Sequence, residues 1–93
     1  MQQLKSFNIH QSKLNVIKIR KVLRDLPPFC KEYFRGIEPN TSILTRINYG
    51  YDLRLFFRFL TKEVEEFKGK KPQELTIEDL KIIEAVHLEM FLE

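Results

Sequence analysis

From Thr45 to Leu60 the chain reads Thr-Arg-Ile-Asn-Tyr-Gly-Tyr-Asp-Leu-Arg-Leu-Phe-Phe-Arg-Phe-Leu, with apolar side chains returning every third or fourth position. One stripe, Tyr49, Leu53, Phe56, Leu60, Val64 and Phe67, advances by steps of four, three, four, four and three, the spacing that stacks side chains on one face of an α-helix. A second row, Ile47, Tyr51, Leu55 and Phe59, repeats every four residues on the opposite side. One bundle contact cannot hide both rows, so the pattern predicts a central helix flanked on both sides. The three capping-competent residues Asn40, Thr41 and Ser42 open it, and Gly69 with Pro72 closes it near Phe67. That is roughly 25 residues, near 37 Å at ~1.5 Å per residue.

The flanking segments show the same period. Ser12 can cap a helix whose apolar positions Val16, Ile19, Leu23 and Leu26 face inward while Lys18, Arg20, Lys21 and Arg24 stay in water. The short alternation Asn15-Val-Ile-Lys-Ile-Arg suits a strand less well than a helix. Leu26-Pro27-Pro28 must stop this helix, because proline disfavours helical geometry in the residue before it and suits the first turn of the next helix. Phe29, Tyr33 and Phe34 are expected to face the core from a short helix that ends near Gly36. Thr76 and Asp79 have the spacing of a capping box, and a last helix is expected from about Ala85. Residues 1–11 are polar and aperiodic and are expected to be mobile. The expectation is therefore an all-α bundle over residues 12–93.

Composition narrows the class. Ninety-three residues form one small domain that buries about 60 to 65% of its unfolded surface. Eight phenylalanines and three tyrosines with no tryptophan point to an aromatic and aliphatic core, each large ring worth on the order of 2–3 kcal/mol when buried. A single cysteine excludes an internal disulfide framework, and without Cys/His clusters a zinc site has no ligands. Cys30 is expected to be a reduced core residue. No cofactor and no small-molecule ligand is expected. The absence of a signal-like apolar run, or of about eighteen consecutive apolar residues, leads to the expectation of a cytoplasmic protein with no membrane partner.

Charge is divided along the chain. Up to Lys62 there are twelve Lys and Arg against four Asp and Glu, net +8, and beyond it four against nine, net −5, which together give the chain's +3. Such an electrostatic dipole draws a polyanion to the first part and repels it from the last.

The pattern Thr45, Tyr49, Asp52, Leu53, Phe56, Phe59, Leu60 resembles the second helix of the core-binding domain of tyrosine recombinases, the family of phage and transposon integrases. Leu26-Pro-Pro-Phe29-Cys-Lys-Glu-Tyr33-Phe34 is similar to that domain's first helix, and Ile83 to Leu92 to its third, so the resemblance spans roughly residues 26 to 92. It implies a small orthogonal, SAM-like helical bundle that holds double-stranded DNA at the recombination site of a mobile element, beside other recombinase protomers. It also implies that a further family helix, shared in the DNA contact, is missing after the third. Leu92-Glu93 is read as a cloning scar.

The expected DNA contacts follow from residue chemistry and the resemblance together. A helix N-terminus offers unpaired N–H groups and a partial positive charge to a phosphate. Asn40, Thr41, Ser42, Thr45 and Arg46 surround one, and in the resembling family this helix start approaches DNA. Arg54, Arg58 and Lys62 step by four along one side of the same helix, about 6 Å apart. Against that stands a merely solvated row, with Arg58 paired to Glu65 or Glu66. Lys70 and Lys71, beside Lys68 in the loop with Gly69, can reach phosphates. Tyr49 holds the motif's aromatic position, expected in the core with its hydroxyl at the rim, and Asp52 is expected to orient neighbouring Arg or Tyr side chains.

No catalytic role is expected. Tyr33, Tyr49 and Tyr51 are not the family's nucleophile, because 3′-phosphotyrosine chemistry needs arginines, a lysine and histidines around the phosphorus, which the family places in a separate catalytic domain. His10 and His87 are isolated, Glu65-Glu66 and Glu78-Asp79 are adjacent and so diverge on a helix, and no glycine-rich phosphate loop is present. The functions left are non-catalytic DNA binding and, as an alternative, a helical protein–protein interaction module whose second apolar row docks a partner helix.

Overall fold

The computed structural model describes residues 2–92, with side chains described from 10 to 92. Met1 and Glu93, part of the segments expected to be mobile and to be a cloning scar, lie outside the described residues. The described chain is all-α: α1 (Gln2–Arg24), α2 (Phe29–Ile37), α3 (Ile43–Glu63), α4 (Ile77–Leu80) and α5 (Ala85–Leu92), joined by three single turns of 3-10 helix and with no strand among the described residues. No described helix is long and apolar enough to cross a membrane.

Helix α1 runs straight through Ser12, so that residue is an exposed position inside a helix and not its cap. The inward positions also differ from the expected set. Val22 and Leu26 are sealed at 1% and 2% exposure, while Val16 remains 37% exposed. The reason is where α1 meets α3: Val22 lies against Gly50, and Asp25, three residues on, reaches Arg54, four residues on. The two helices thus run in the same direction, and α2 returns the chain between them after Pro27 and Pro28 break α1.

The core gathers Leu26, Cys30, Phe34, Phe57, Leu60, Val64, Phe67 and Leu75. Phe29 packs edge-on against Phe57 with ring centres 6.0 Å apart. Of the α2 aromatics only Phe34 is fully buried; Tyr33, expected inside, is 51% exposed. Helix α3 stops at Glu63, four residues short of the expected end, because Val64 turns extended (φ −90°, ψ 120°). A 3-10 turn over Glu65–Phe67 then keeps Val64 and Phe67 on the core side, so the apolar stripe outlives the helix that began it. Gly69 reverses the chain at φ +88°, a backbone region open to glycine but strained for L side chains. The Thr76–Asp79 capping box forms as expected and starts α4.

The second row on α3 is covered only at its ends. Ile47 is buried at 4% exposure, and Phe59 packs against Phe91 of α5 at 5.4 Å, where Phe91 also meets Phe56 at 5.1 Å. Between them Tyr51 and Leu55 stay exposed. The inward ridge is instead Ile47, Gly50, Arg54 and Phe57, stepping by three, four and three, with Arg54 half-buried and the others buried.

Candidate nucleic-acid interface

The structure brings Asn40, Thr41, Ser42, Thr45 and Arg46 together at the start of α3, and their polar groups are largely turned on one another. Ser42 is the N-cap: its hydroxyl accepts from the Thr45 backbone N–H (3.1 Å) and donates to Thr45 Oγ1 (2.9 Å). Thr41 Oγ1 donates to the Ile37 carbonyl at 2.7 Å. Arg46 Nη1 donates to the carbonyls of Glu38 (3.1 Å) and Thr41 (2.7 Å) and to Thr41 Oγ1 (3.1 Å). The arginine that was expected to greet a phosphate therefore clamps the turn between α2 and α3. The Glu38 carbonyl also accepts from the Thr41 backbone N–H at 3.4 Å, so the hydroxyls and the guanidinium complete the hydrogen bonding of a connector that lies between two helices. A recess of about 340 Å3 beside Arg46 is also walled by Lys31, Arg35 and Glu38, so positive charge remains at this end.

Arg54 and Arg58 have separate fates. Arg54 is wedged beside α1, its Nη1 3.4 Å from Asp25 Oδ2 and its guanidinium 5.1 Å over the Tyr51 ring. It leaves the row of free charges. Arg58 is exposed and makes no ion pair among the described residues, so pairing with Glu65 or Glu66 does not occur; Glu65 instead binds Lys68 at 2.9 Å. Hydrogen bonding and the charge of Lys68 hold the Glu65 carboxyl below its ordinary pKa.

The basic loop after α3 is partly neutralised. Lys70 pairs with Asp79 at 3.6 Å, while Lys71 is exposed and its backbone N–H donates to Glu74. The Asp79 carboxyl sits below its ordinary pKa, first because the Thr76 backbone N–H donates to it and then through the charge of Lys70. Tyr49 is not a core residue. At 43% exposure it lines an open apolar groove of about 680 Å3 with Tyr33, Leu53, Phe56 and Ile77. Asp52 stands at the edge of that groove and accepts no side-chain hydrogen bond among the described residues, so it orients neither a Tyr nor an Arg.

The ion pairs sharpen the division of charge. Three of the four among the described residues tie up a lysine beyond Glu63: Lys68–Glu65, Lys70–Asp79 and Lys81–Glu78. Lys18, Arg20, Lys21, Arg58 and Lys62, on α1 and α3, have no such partner. Lys18 and Lys21 were legible only as a solvated helix face, since nothing in the sequence places α1 beside α3.

No family model matches this chain, and no curated protein or solved structure does so either.

Proposed function

We propose that this chain is a DNA-binding domain, non-catalytic by itself, of the kind tyrosine recombinases use to hold the recombination-site duplex. One observation carries the proposal. Lys18, Arg20 and Lys21 on α1 and Arg58 and Lys62 on α3 have no carboxylate partner among the described residues, whereas beyond Glu63 three of the four lysines are paired. Unpaired cations on a rigid helical face are what a phosphate backbone attracts, through release of its condensed counterions. Arg58, Lys62 and the recess at Arg46 supply the contacts to duplex DNA, with Asn40 exposed before the start of α3. In this proposal the protein works in the cytoplasm and alongside other recombinase protomers.

Fluorescence anisotropy of a labelled duplex tests this. Binding is expected at low salt, with affinity falling steeply as salt rises, by a slope of about −0.9 per phosphate neutralised. Arg58→Glu with Lys62→Glu weakens it, while Lys68→Glu and Lys81→Glu do not. A folded chain that fails to retain duplex at low salt overturns the proposal.

A second function, docking of a partner helix, is favoured by the groove at Tyr33, Tyr49, Phe56 and Ile77. Charge reversal at Arg58 and Lys62 leaves that activity intact, which separates the two.

A further inference from the structure

The face where α1 meets α3 holds a notch of about 240 Å3, walled by Lys18, Lys21 and Val22 on one helix and by Tyr51 and Arg54 on the other. Lys18 and Lys21 are three apart, so they project from the same side of α1. Gly50 brings this side close. A Cβ there would stand 2.8 Å from Val22 Cγ1, so only the bare glycine lets α1 settle deep enough for Lys18 and Lys21 to share one notch with Arg54.

Arg54 is held in place without being satisfied. Asp25 and the Tyr51 ring fix the plane of its guanidinium, yet a 3.4 Å contact is its one hydrogen bond to a described acceptor, and its buried Nε has none. Lys18, Lys21 and Arg54 wall the notch with no carboxylate in its lining, and like charges so placed repel one another. A compact tetrahedral oxyanion relieves that repulsion and accepts from ammonium and guanidinium donors together.

We propose that this notch is a seat for one phosphate group, held by Lys18, Lys21 and Arg54 with Tyr51 at its rim. The site draws on Lys18 and Lys21 of the basic surface described above, but not on Arg58, Lys62 or the recess at Arg46, and it stands whether or not duplex DNA binds. Its phosphate comes either from a monoester or from the backbone diester of a nucleic acid.

Amide NMR on the full chain tests the seat, with sodium phosphate and adenosine monophosphate titrated at constant ionic strength against sodium chloride. Saturable shifts are expected at Lys18, Lys21, Tyr51 and Arg54. Lys18→Gln with Lys21→Gln, both exposed positions, should leave the helical circular dichroism unchanged and weaken the phosphate response by about ten-fold, as expected for lost charge-assisted hydrogen bonds. A short duplex that displaces phosphate from these amides identifies the diester as the source, and one that does not identifies the monoester. The proposal is overturned if phosphate and the monophosphate move these amides no more than chloride does, or move them equally in the double variant. Failure of duplex binding alone counts only against the DNA-binding function.

Discussion

Gly50 and Val22 are in contact across the α1–α3 crossing so closely that a Cβ on Gly50 would lie 2.8 Å from Val22 Cγ1 and 3.4 Å from Cγ2. Val22 is 1% exposed and β-branched, so it has little room and few rotamers with which to yield. The position of the whole first helix depends on that absent methyl group.

Gly50→Ala is therefore expected to destabilise the fold even though alanine favours helix. Overpacking costs about 1–3 kcal/mol, and the gain in helix propensity returns up to ~1 kcal/mol. Urea denaturation should show a net loss on the order of 1–2 kcal/mol. Pairing the change with Val22→Ala should recover part of it, a non-additive cycle that unrelated sites would not give.

Leu60 and Phe67 test the other side of the bundle. Both are sealed in the core cluster, at 0% and 1% exposure. Leu60→Ala should cost about 2–5 kcal/mol and Phe67→Ala about 3–5 kcal/mol through lost transfer energy and the cavity left behind. In a domain this size either loss approaches the whole folding free energy, so thermal melting of the two variants should begin far below that of the parent chain.

The stripe from Leu53 to Phe67 was legible because leucine, valine and phenylalanine recur with helical period, and that period survived the switch to a 3-10 turn at Val64. The ridge Ile47, Gly50, Arg54, Phe57 was not legible, because glycine and arginine do not register as apolar although both sit between packed helices. The candidate site suffered for the same reason. Arg54 looked like one of three free charges until Asp25, 29 residues away in sequence, proved to be its partner. Thr41, Ser42 and Arg46 were correctly grouped at a helix start, but helix capping and the clamp on Glu38 and Thr41 draw on the same donors that a phosphate would need. Hydroxyl chemistry alone does not say which acceptor wins.

Cys30 should impose an alkaline limit on stability. Burial pushes its thiol from about 9 up to about 11, so the folded state binds this proton more tightly than the unfolded one. Its contribution is complete below about pH 9 and is lost as pH rises through about 11. The difference in stability between the parent chain and Cys30→Ala should shrink across that window and stay constant below it. The same burial makes a thiol reagent react at neutral pH only at the rate of opening.

Asp25→Asn separates stability from charge. The Arg54–Asp25 pair is roughly a third exposed on each side, so its loss should cost less than about 1 kcal/mol. Removing the carboxylate that pairs with Arg54 should nonetheless strengthen phosphate binding at the notch that Arg54 shares with Lys18 and Lys21. A variant that melts normally and binds phosphate no better would show that Asp25 does not compete with the anion for Arg54.

Arg46 and Arg58 should respond to substitution in opposite ways. Arg46 Nη1 makes three hydrogen bonds to the α2–α3 connector, and bonds from a charged donor contribute about 1.5–3 kcal/mol each when their partners have no substitute. These lie near the surface, where water replaces part of that loss, so Arg46→Ala should lower stability by about 1–2 kcal/mol. Arg58 is exposed and touches no carboxylate among the described residues, so Arg58→Ala should stay within about 0.5 kcal/mol of the parent in stability and reduce duplex affinity together with its salt slope. Charge reversal at Arg46 with Thr45→Ala would confound the two effects, because unfolding of the connector removes the recess as well as the charge. If Arg58→Ala instead melts early and Arg46→Ala does not, the division between a structural and a binding arginine on α3 is wrong.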